Sequence, residues 1–533
     1  MNGSFRLSMT WLHNWGGLVV GWLLFCVFLT GTTAYARFEI TRWMQPERVE
    51  ATDSPDAAAA AIASLWREAP QARRWLITMP DERRTATQVY VYNPPGIQPA
   101  FRKLWLEPDD GRPVQARATF GGDFLYYFHF DLRVPGLVGR YLIGAAGVAL
   151  LVALITGFVI HRRVFWDFFT VRPGRSRTRL WMDVHNALGI IVLPYHALIT
   201  VTGLVPLMLL YMPWGLQAAF GDRPAAFNTA VYAEPPPPPA AGRAAPLTAI
   251  EPLLAEAARR WDGGRPGWIV IDNPGDAAAT ILLKRTDSDR VVITPEAILF
   301  DGTTGAVRTV WDGTGGAAAT RAGAYGLHMM RFADTPLRLA MILCGLAGTA
   351  MIGTGQVYWI IKRRKRETVP SFGLRLADGA NLAVMVGLPF AIAAYFWANR
   401  LLPAGLAGRE TTEALVFFAA WFLAALHPAL RGVRRAWGEQ LAAAALLWTA
   451  LPLLNALTSE AHLGVTLARG LWGIAGIDLT ALATGALFAL LAWRRVRGTS
   501  TRSTAQKPAP ALRNAERPDD ASQSPLHRRL PSR

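Results

Sequence analysis

Four of the nine histidines stand at repeated positions along the first 360 residues of the chain. His13 and His185 are each followed by Asn, and a Thr-Gly pair begins 17 residues after each of them. His129 and His328 also lead to a Thr-Gly pair, which begins 27 and 26 residues later. Two imidazoles that face each other are the usual axial ligands of a low-spin haem b. We therefore predict two haem b sites, with His13 opposite His185 in one and His129 opposite His328 in the other.

Other interpretations of these four histidines remain open at this point. Each could instead be a hydrogen-bonded residue at a helix end. A zinc site is disfavoured, because no cysteine or carboxylate cluster accompanies either pair.

Two further histidines are secondary candidates for the same sites. His196 follows His185 by 11 residues, which places it on nearly the same helix face, about 16 Å further along. An axial ligand, a relay between the sites and a substrate contact are the three interpretations of His196, whose counterpart in the first repeat is Leu24. His161 ends an apolar stretch among basic residues, which is typical of an interfacial residue or of a contact to a haem propionate.

Membrane-spanning helices are the elements that must position these histidines. The composition is 52% hydrophobic and only 17% charged, whereas a soluble protein has roughly 25% charged residues. A spanning helix needs about 20 mostly apolar residues. Eight stretches meet this requirement: 10–36, 136–160, 183–211, 337–361, 377–398, 411–428, 440–458 and 466–493.

The basic residues predict how these spans are oriented. Clusters of Arg and Lys follow the second, fourth, sixth and eighth spans, at 162–179, 362–366, 431–435 and 494–497. All four clusters fall on one side if every stretch crosses, and the positive-inside rule places that side in the cytoplasm. We therefore expect a multi-pass protein of the bacterial inner membrane with both termini in the cytoplasm. The net charge of +17 then reflects orientation in the membrane and does not indicate nucleic-acid binding.

The histidine spacings belong to a tandem duplication. Each repeat has a span, an outer segment with an Ala-rich helix and alternating strand residues, and a second span. The predicted fold class is a mainly α polytopic membrane protein. It has a pseudo-symmetric four-helix haem-binding core, two small α+β periplasmic domains and four additional C-terminal transmembrane helices. The predicted units are 1–39 (first span), 40–130 (first outer domain), 131–214 (second and third spans), 215–325 (second outer domain), 326–366 (fourth span), 367–497 (extension) and 498–533 (disordered cytoplasmic tail).

Two expectations concern depth in the membrane. Helix rise places the two predicted haem sites up to roughly 30–40 Å apart along the membrane normal. Asp478 is predicted near the middle of the last span, where the interpretations are an interhelical hydrogen bond and a proton or quinone role.

Cys26 and Cys344 lie inside apolar runs and are interpreted as small core residues.

The repeated motifs resemble those of the PepSY-associated transmembrane family, also described as iron-regulated membrane proteins. The resemblance covers about residues 5–365. It rests on the Leu-His or Val-His start and the Thr-Gly end of the odd spans, and on the Phe-His or Leu-His that leads into the even spans. It implies that the outer domains are PepSY domains, and that the haem ligands are His13, His129, His185 and His328. Characterised relatives are inner-membrane ferric-siderophore reductases with two haems b.

The resemblance implies a haem-dependent oxidoreductase that passes electrons outward to a periplasmic ferric chelate or siderophore for iron release. This chain departs from the short family form by four extra spans and a tail, and it has no flavodoxin-like or nicotinamide-binding segment. The expected electron donor is then a quinol or a separate cytoplasmic flavoprotein. The alternatives are a siderophore or iron uptake permease component, which the extra spans support, and a non-enzymatic PepSY scaffold or regulatory protein.

Overall fold

The computed structural model describes residues 3–48, 54–94, 96–161, 171–172, 174, 176–293, 295–313 and 315–503. Parts of two sequence predictions lie outside these ranges. They are much of the basic loop at 162–179 and the predicted disordered tail from residue 504 onward. Within the described ranges, eight helical segments are long and apolar enough to cross a membrane, as the sequence predicts.

Helices account for most of the described chain. In chain order they are α1 (Gly3–Ala34), α2 (Arg37–Met44), α3 (Ala57–Glu68), α4 (Gly122–Asp131), α5 (Val138–Ile160), α6 (Arg177–Ile191), α7 (Leu193–Tyr211), α8 (Trp214–Phe220), α9 (Pro224–Tyr232), α10 (Glu251–Arg260), α11 (Gly316–Met329), α12 (Thr335–Arg364), α13 (Phe372–Leu382), α14 (Leu388–Leu401), α15 (Arg409–Arg431), α16 (Val433–Thr458), α17 (Leu463–Ala468) and α18 (Trp472–Ser503). A π-helical turn at Ala383–Gly387 joins α13 to α14 in one span. The other candidate spans are α1, α5, α7, α12, α15, α16 and α18.

The third predicted span is divided into α6 and α7 at Val192. Pro194 stands in the first turn of α7, where a proline has no intrahelical hydrogen bond to lose. His185 therefore lies on α6 and His196 on α7. The prediction of one uninterrupted helix across 183–211 is wrong.

Spans from both repeats close into a bundle of four. α1 packs against α5 and α12, α5 also packs against α7, and α12 also packs against α6. Two shorter helices run beside this bundle, α4 against α1 and α11 against α7. They carry His129 and His328, which are thus set on helices separate from the spans that follow. The predicted boundary between 325 and 326 falls inside α11, and the boundary after 130 falls one residue before the end of α4.

One end of the span helices, called the basic side here, gathers three of the basic clusters. Arg364 pairs with Asp378, and the indole N–H of Trp437 donates to the same carboxylate at 3.2 Å. The Arg495 guanidinium lies over the Trp437 ring. These contacts place on one side the loops that the sequence predicts to share a side.

The outer segments form one antiparallel sheet at the opposite end, called the sheet side. The strands are β1 (Arg74–Thr78), β2 (Thr87–Tyr92), β3 (Phe101–Leu106), β4 (Pro266–Asp272), β5 (Thr280–Arg285), β6 (Glu296–Asp301) and β7 (Val307–Asp312). Their order is β3-β2-β1-β4-β5-β6-β7, so β1 of the first repeat pairs with β4 of the second. The two domains predicted as separate units therefore share one continuous sheet.

Side chains alternate between the two faces of this sheet, as the strand pleat requires. One face is apolar, and its Trp75 and Ile271 are fully buried in a core completed by α3 and α10. The other face carries polar and aromatic residues such as Arg74, Tyr90 and Asp272, which line a cavity that also contacts α2 and α4. The sheet thus separates a conventional core from a polar chamber above the spans.

The last four spans pack against the four-span bundle. Phe124 and Phe128 of α4 are buried among aromatic rings from the extension. The Phe417 ring centroid lies 4.9 Å from that of Phe124 and 5.6 Å from that of Phe128, and Tyr395 stacks on Phe124 at 4.8 Å. The extension therefore supports the short helix that carries His129.

A buried polar network joins the extension to the residues around α2. Arg409 pairs with Glu413, and neither side chain is exposed. Asn399 donates to the Glu413 carboxylate at 2.8 Å. Arg400 donates to Asn455 at 2.9 Å and lies over the Trp43 ring. Because buried charges are stable only when paired, this network fixes how the extension docks.

Asp478 belongs to the same network. It lies in the second turn of α18, which begins at Trp472 on the sheet side, so the prediction that it is near the middle of the last span is wrong. Its carboxylate accepts hydrogen bonds from the Trp43 indole N–H at 3.1 Å and from Asn455 at 2.9 Å. These contacts favour the interhelical hydrogen bond over the proton or quinone role.

Replacement of Phe417 by Ala should destabilise the protein by about 3 kcal/mol or more, because it leaves a cavity beside two buried rings. A fall in the thermal unfolding midpoint of the detergent-solubilised protein measures this effect. Phe422→Ala on the same helix is the matched control, since the Phe422 side chain is 67% exposed to the lipid side. Equal midpoints for the two variants would contradict the proposed support of α4 by the extension.

Candidate functional site

The first histidine pair lies toward the basic side of the bundle. His13 of α1 and His185 of α6 have ring centroids 6.3 Å apart, with the ring planes inclined at 67°. The His13 Nδ1 lies 3.1 Å from the Ala153 carbonyl and 3.2 Å from the Thr156 hydroxyl. The His185 Nδ1 lies 2.7 Å from the Met351 carbonyl. Each imidazole is thus held by the span of its own repeat.

The second pair lies toward the sheet side. His129 of α4 and His328 of α11 have ring centroids 6.1 Å apart, with planes inclined at 26°. The His129 Nδ1 lies 2.8 Å from the Val27 carbonyl, and the His328 Nδ1 lies 3.3 Å from the Thr202 hydroxyl. That hydroxyl donates its own hydrogen to the Leu198 carbonyl, so its oxygen accepts from His328. The structure therefore brings together the histidines that the sequence predicts as pairs.

The same ring nitrogen is anchored in all four histidines. When Nδ1 donates to an oxygen of a neighbouring helix, the lone pair of the neutral ring lies on Nε2. This is the arrangement in which histidine binds a metal, because the anchored N–H fixes both the tautomer and the ring direction. Two imidazoles bound through Nε2 to opposite sides of one ion, at about 2 Å each, have centroids roughly 6 Å apart. Both observed separations fit that requirement.

Each ring also packs on the glycine of a repeated Thr-Gly pair. A Cβ added at that glycine would approach the imidazole to between 2.6 and 3.3 Å. The contacts are Gly157 with His13, Gly355 with His185, Gly31 with His129 and Gly203 with His328. The recurrence of Thr-Gly in the sequence thus follows from the need for a helix surface flat enough to admit an imidazole.

Each pair opens into its own cavity. The basic-side cavity, of about 300 Å³, contains His13 and His185 and is lined mostly by apolar side chains, with Asn14, Asn186 and Lys362 at its wall. The sheet-side cavity, of about 360 Å³, contains His129 and His328. Five arginines line it: Arg37, Arg83, Arg140, Arg321 and Arg331. The apolar walls of the two cavities suit a flat, mostly apolar group, and the basic residues at their walls suit acidic substituents on that group.

The separation of the two pairs can be estimated along α1. His13 and Gly31, which touches His129, are both on α1 and are 18 residues apart. At about 1.5 Å per residue the two levels are about 27 Å apart along the helix. This value lies below the upper limit of roughly 30–40 Å expected from the sequence, and His129 lies on α4, which packs beside α1.

His196 is fully buried and belongs to neither pair. Its ring lies 5.9 Å from the Phe28 ring, and a Cβ at Gly348 would come within 2.9 Å of it. Neither ring nitrogen makes a hydrogen bond to the described residues, although the Leu188 carbonyl lies nearby. A polar group at such depth without a well-formed hydrogen bond is costly, which distinguishes His196 from the four anchored histidines.

His161 and Gln356 line the basic-side cavity. His161 caps the end of α5, in agreement with its predicted place beside the first site. Gln356 was not a sequence candidate, yet its side chain is buried and both of its amide atoms lack a partner among the described residues. The sequence signal that could have identified Gln356 is a single amide side chain inside an apolar span, two residues after Thr354.

The model of the PepSY-associated TM region matches residues 10–362, which contain all four paired histidines. The chain belongs to this family. Among curated proteins, the Pseudomonas aeruginosa protein named Uncharacterized protein PA4219 is 28% identical over 422 residues, covering 71% of this chain and 96% of the relative. The family match ends close to the end of α12, so α13–α18 lie outside the region that defines this PepSY-associated protein.

Replacement of Gly31 by Ala should disturb the sheet-side pair alone, because the new methyl group would lie 2.6 Å from the His129 ring. If haem is bound as the sequence predicts, its visible absorbance per chain should fall by roughly half. Gly16→Ala on the same helix is the control, since nothing lies within 4 Å of that added atom. An unchanged spectrum in Gly31→Ala would show that the ring does not depend on this contact.

Proposed function

We propose that this PepSY-associated membrane protein is a di-haem b electron-transfer protein that reduces a ferric chelate or siderophore outside the inner membrane. The observation that supports it most directly is the pair of facing imidazoles at each of two levels of the bundle. Each of the four rings has an anchored Nδ1, its Nε2 has no hydrogen bond within the described part of the chain, and the centroid separations suit one metal ion per pair.

His13 and His185 would hold one haem and His129 and His328 the other, and a bound haem supplies reversible one-electron redox chemistry. The carbonyls and hydroxyls at Nδ1 keep each imidazole neutral and correctly turned. They also make Nε2 a stronger donor, which favours the oxidised metal and lowers its reduction potential. Arginines around the sheet-side pair would neutralise acidic substituents of the cofactor.

The charge distribution supports an outward direction of transfer, because it orients the two histidine levels in the membrane. The basic side would face the cytoplasm by the positive-inside rule, and the sheet would lie in the periplasm. A quinol or a cytoplasmic flavoprotein would deliver electrons to the His13–His185 level, and a periplasmic acceptor would take them at the His129–His328 level. Reduction of Fe(III) to Fe(II) weakens its binding by hard oxygen ligands and so releases iron.

The competing functions have less support. The permease interpretation depends on the extra spans, whose buried charges Arg409, Glu413 and Asp478 are engaged in pairs and hydrogen bonds rather than lining a pathway. The scaffold interpretation leaves unexplained why four histidines are anchored alike in apolar surroundings.

A pyridine haemochrome assay of the purified protein should give two haems b per chain. His185→Ala and His328→Ala should each retain one haem, because the two pairs share no residue. His427→Ala serves as the control, since that half-buried ring pairs with Glu439 and lines neither cavity. A folded protein with one haem or none would refute the proposal.

His196 provides a test of transfer between the two levels. In sealed vesicles with the sheet outward, dithionite-reduced protein should be reoxidised by an impermeant external ferric chelate. His196→Leu, which introduces the residue type of the equivalent position Leu24, should slow that reoxidation and leave both haems in place. Loss of one haem in His196→Leu would make His196 an axial ligand and overturn the pairing of the other four histidines.

A further inference from the structure

A second chamber adjoins the sheet-side histidine cavity. It has a volume of about 580 Å³ and lies between the polar face of the sheet and the helices α2 and α4. Four residues line both spaces: Arg37, Phe38, Arg83 and Arg331. A molecule held in this chamber, called the sheet chamber here, would therefore lie next to the His129–His328 pair.

The wall of the sheet chamber is strongly cationic. It contains nine Arg and Lys side chains and only three carboxylates. Six of the nine cations pair with acidic side chains: Arg37, Arg74, Arg83, Arg84, Lys284 and Arg331. Arg48 and Lys103 form no ion pair with the described residues, and the carboxylates that attract them, Glu47 and Glu107 for Arg48 and Asp123 for Lys103, act from beyond salt-bridge distance.

Arg48 is the more informative of these two residues. Its side chain is only 8% exposed, its guanidinium donates to the Gln45 amide oxygen at 2.6 Å, and its Nε has no partner in the described part of the chain. Burial and the neighbouring Arg42 lower the pKa of Arg48 to about 10, so it stays charged at neutral pH. A buried cation that has no carboxylate in direct contact is costly, and an anionic ligand would lower that cost.

Aromatic rings share the same wall. The Trp105 ring contacts both of these cations: its centroid lies 3.5 Å from the Arg48 guanidinium and 4.6 Å from the Lys103 ammonium. Tyr90 and Trp268 line the chamber as well. A ligand that combines negative charge with flat aromatic groups can meet both features, through ion pairs and through ring stacking.

We propose that the sheet chamber binds the ferric substrate as an anionic chelate whose iron ligands include aromatic oxygen atoms, and a tris-catecholate complex serves as its binding probe. This inference rests on the proposed function, which requires an acceptor beside the sheet-side pair. The chamber selects by charge: an anionic complex gains from Arg48 and Lys103, whereas a cationic trihydroxamate complex is repelled by the same wall. The shared arginines then place the chelate against the cavity that contains His129 and His328.

Binding can be measured without any electron transfer by using gallium(III), which has the charge of Fe(III) and is not reduced by such proteins. Quenching of tryptophan fluorescence would report a gallium tris-catecholate on the full-length purified protein. It should bind at least tenfold more tightly than a gallium trihydroxamate of net positive charge, and the difference should shrink at high salt. Equal affinities for the two complexes would overturn the proposal.

Charge-removing variants locate the site. Arg48→Gln and Lys103→Gln should each weaken binding of the gallium tris-catecholate about fivefold to tenfold, while the haem content stays at the wild-type value. Arg112→Gln is the matched control, because the Arg112 side chain is 78% exposed on the same domain and is paired with Asp110. Unchanged affinity in both folded variants would contradict the assignment.

The outcomes separate this inference from the function on which it rests. Protein with two haems that reduces ferric chelates but does not prefer the tris-catecholate would overturn the chamber assignment alone. Protein without haem that still binds the gallium tris-catecholate through Arg48 and Lys103 would refute the electron-transfer function and keep the anion site.

Discussion

Each of the four repeated histidines directs its Nδ1 toward an oxygen atom of a neighbouring helix, and the arrangement of the bundle depends on this hydrogen bond. The imidazole is buried, so an unmade bond would be costly, and the partner oxygen must come from a helix at a fixed height. The glycine of a Thr-Gly pair completes the requirement by letting the ring approach the helix surface. Two helices from each repeat are thereby held in register, and the two rings of each pair are brought to centroid separations of 6.3 and 6.1 Å.

The sheet and the extension can be understood as supports for the short helices that carry two of these rings. α4 and α11 are each joined to the following span through a turn with residues in the left-handed conformation, Leu132 and Arg133 after α4 and Met330 after α11, so each needs packing contacts of its own. The continuous sheet ties the two outer segments together above them. On the α4 side, Tyr395 and Phe417 add an aromatic contact that has no counterpart in the second repeat. The extra spans thus make the core less symmetric than the duplication alone implies.

Periodicity and spacing were sufficient to predict the eight spans, the duplication and the residues that meet as pairs. Hydrophobic length determines a span almost by itself, and a repeat forces equivalent residues into equivalent places. The pairing of β1 with β4 could not be predicted, because strand partners depend on contacts between distant segments. The strands of both outer segments also have the same alternation of apolar and polar residues. Pro194 indicated the helix break at Val192, but the continuous apolar run around it favoured a single span.

The depth of individual residues was the least predictable property. Asp478 was placed too deep because span boundaries read from composition carry an error of several residues, and a carboxylate two turns from a helix end then looks central. The cations of the sheet chamber were invisible for another reason. Arg48, Lys103 and Arg331 are far apart in the chain and converge only when the sheet folds over α2 and α4.

Low-temperature electron paramagnetic resonance of the oxidised protein tests the central claim most directly, because it would distinguish the ligand environments of the two proposed haems. The rings of His13 and His185 are inclined at 67°, whereas those of His129 and His328 are inclined at 26°. Strongly crossed imidazoles give a low-spin ferric signal of large g anisotropy, and nearly parallel ones give a rhombic signal. The account predicts one signal of each kind, with the first lost in His185→Ala and the second in His328→Ala. A single low-spin signal, or high-spin haem alone, would contradict it.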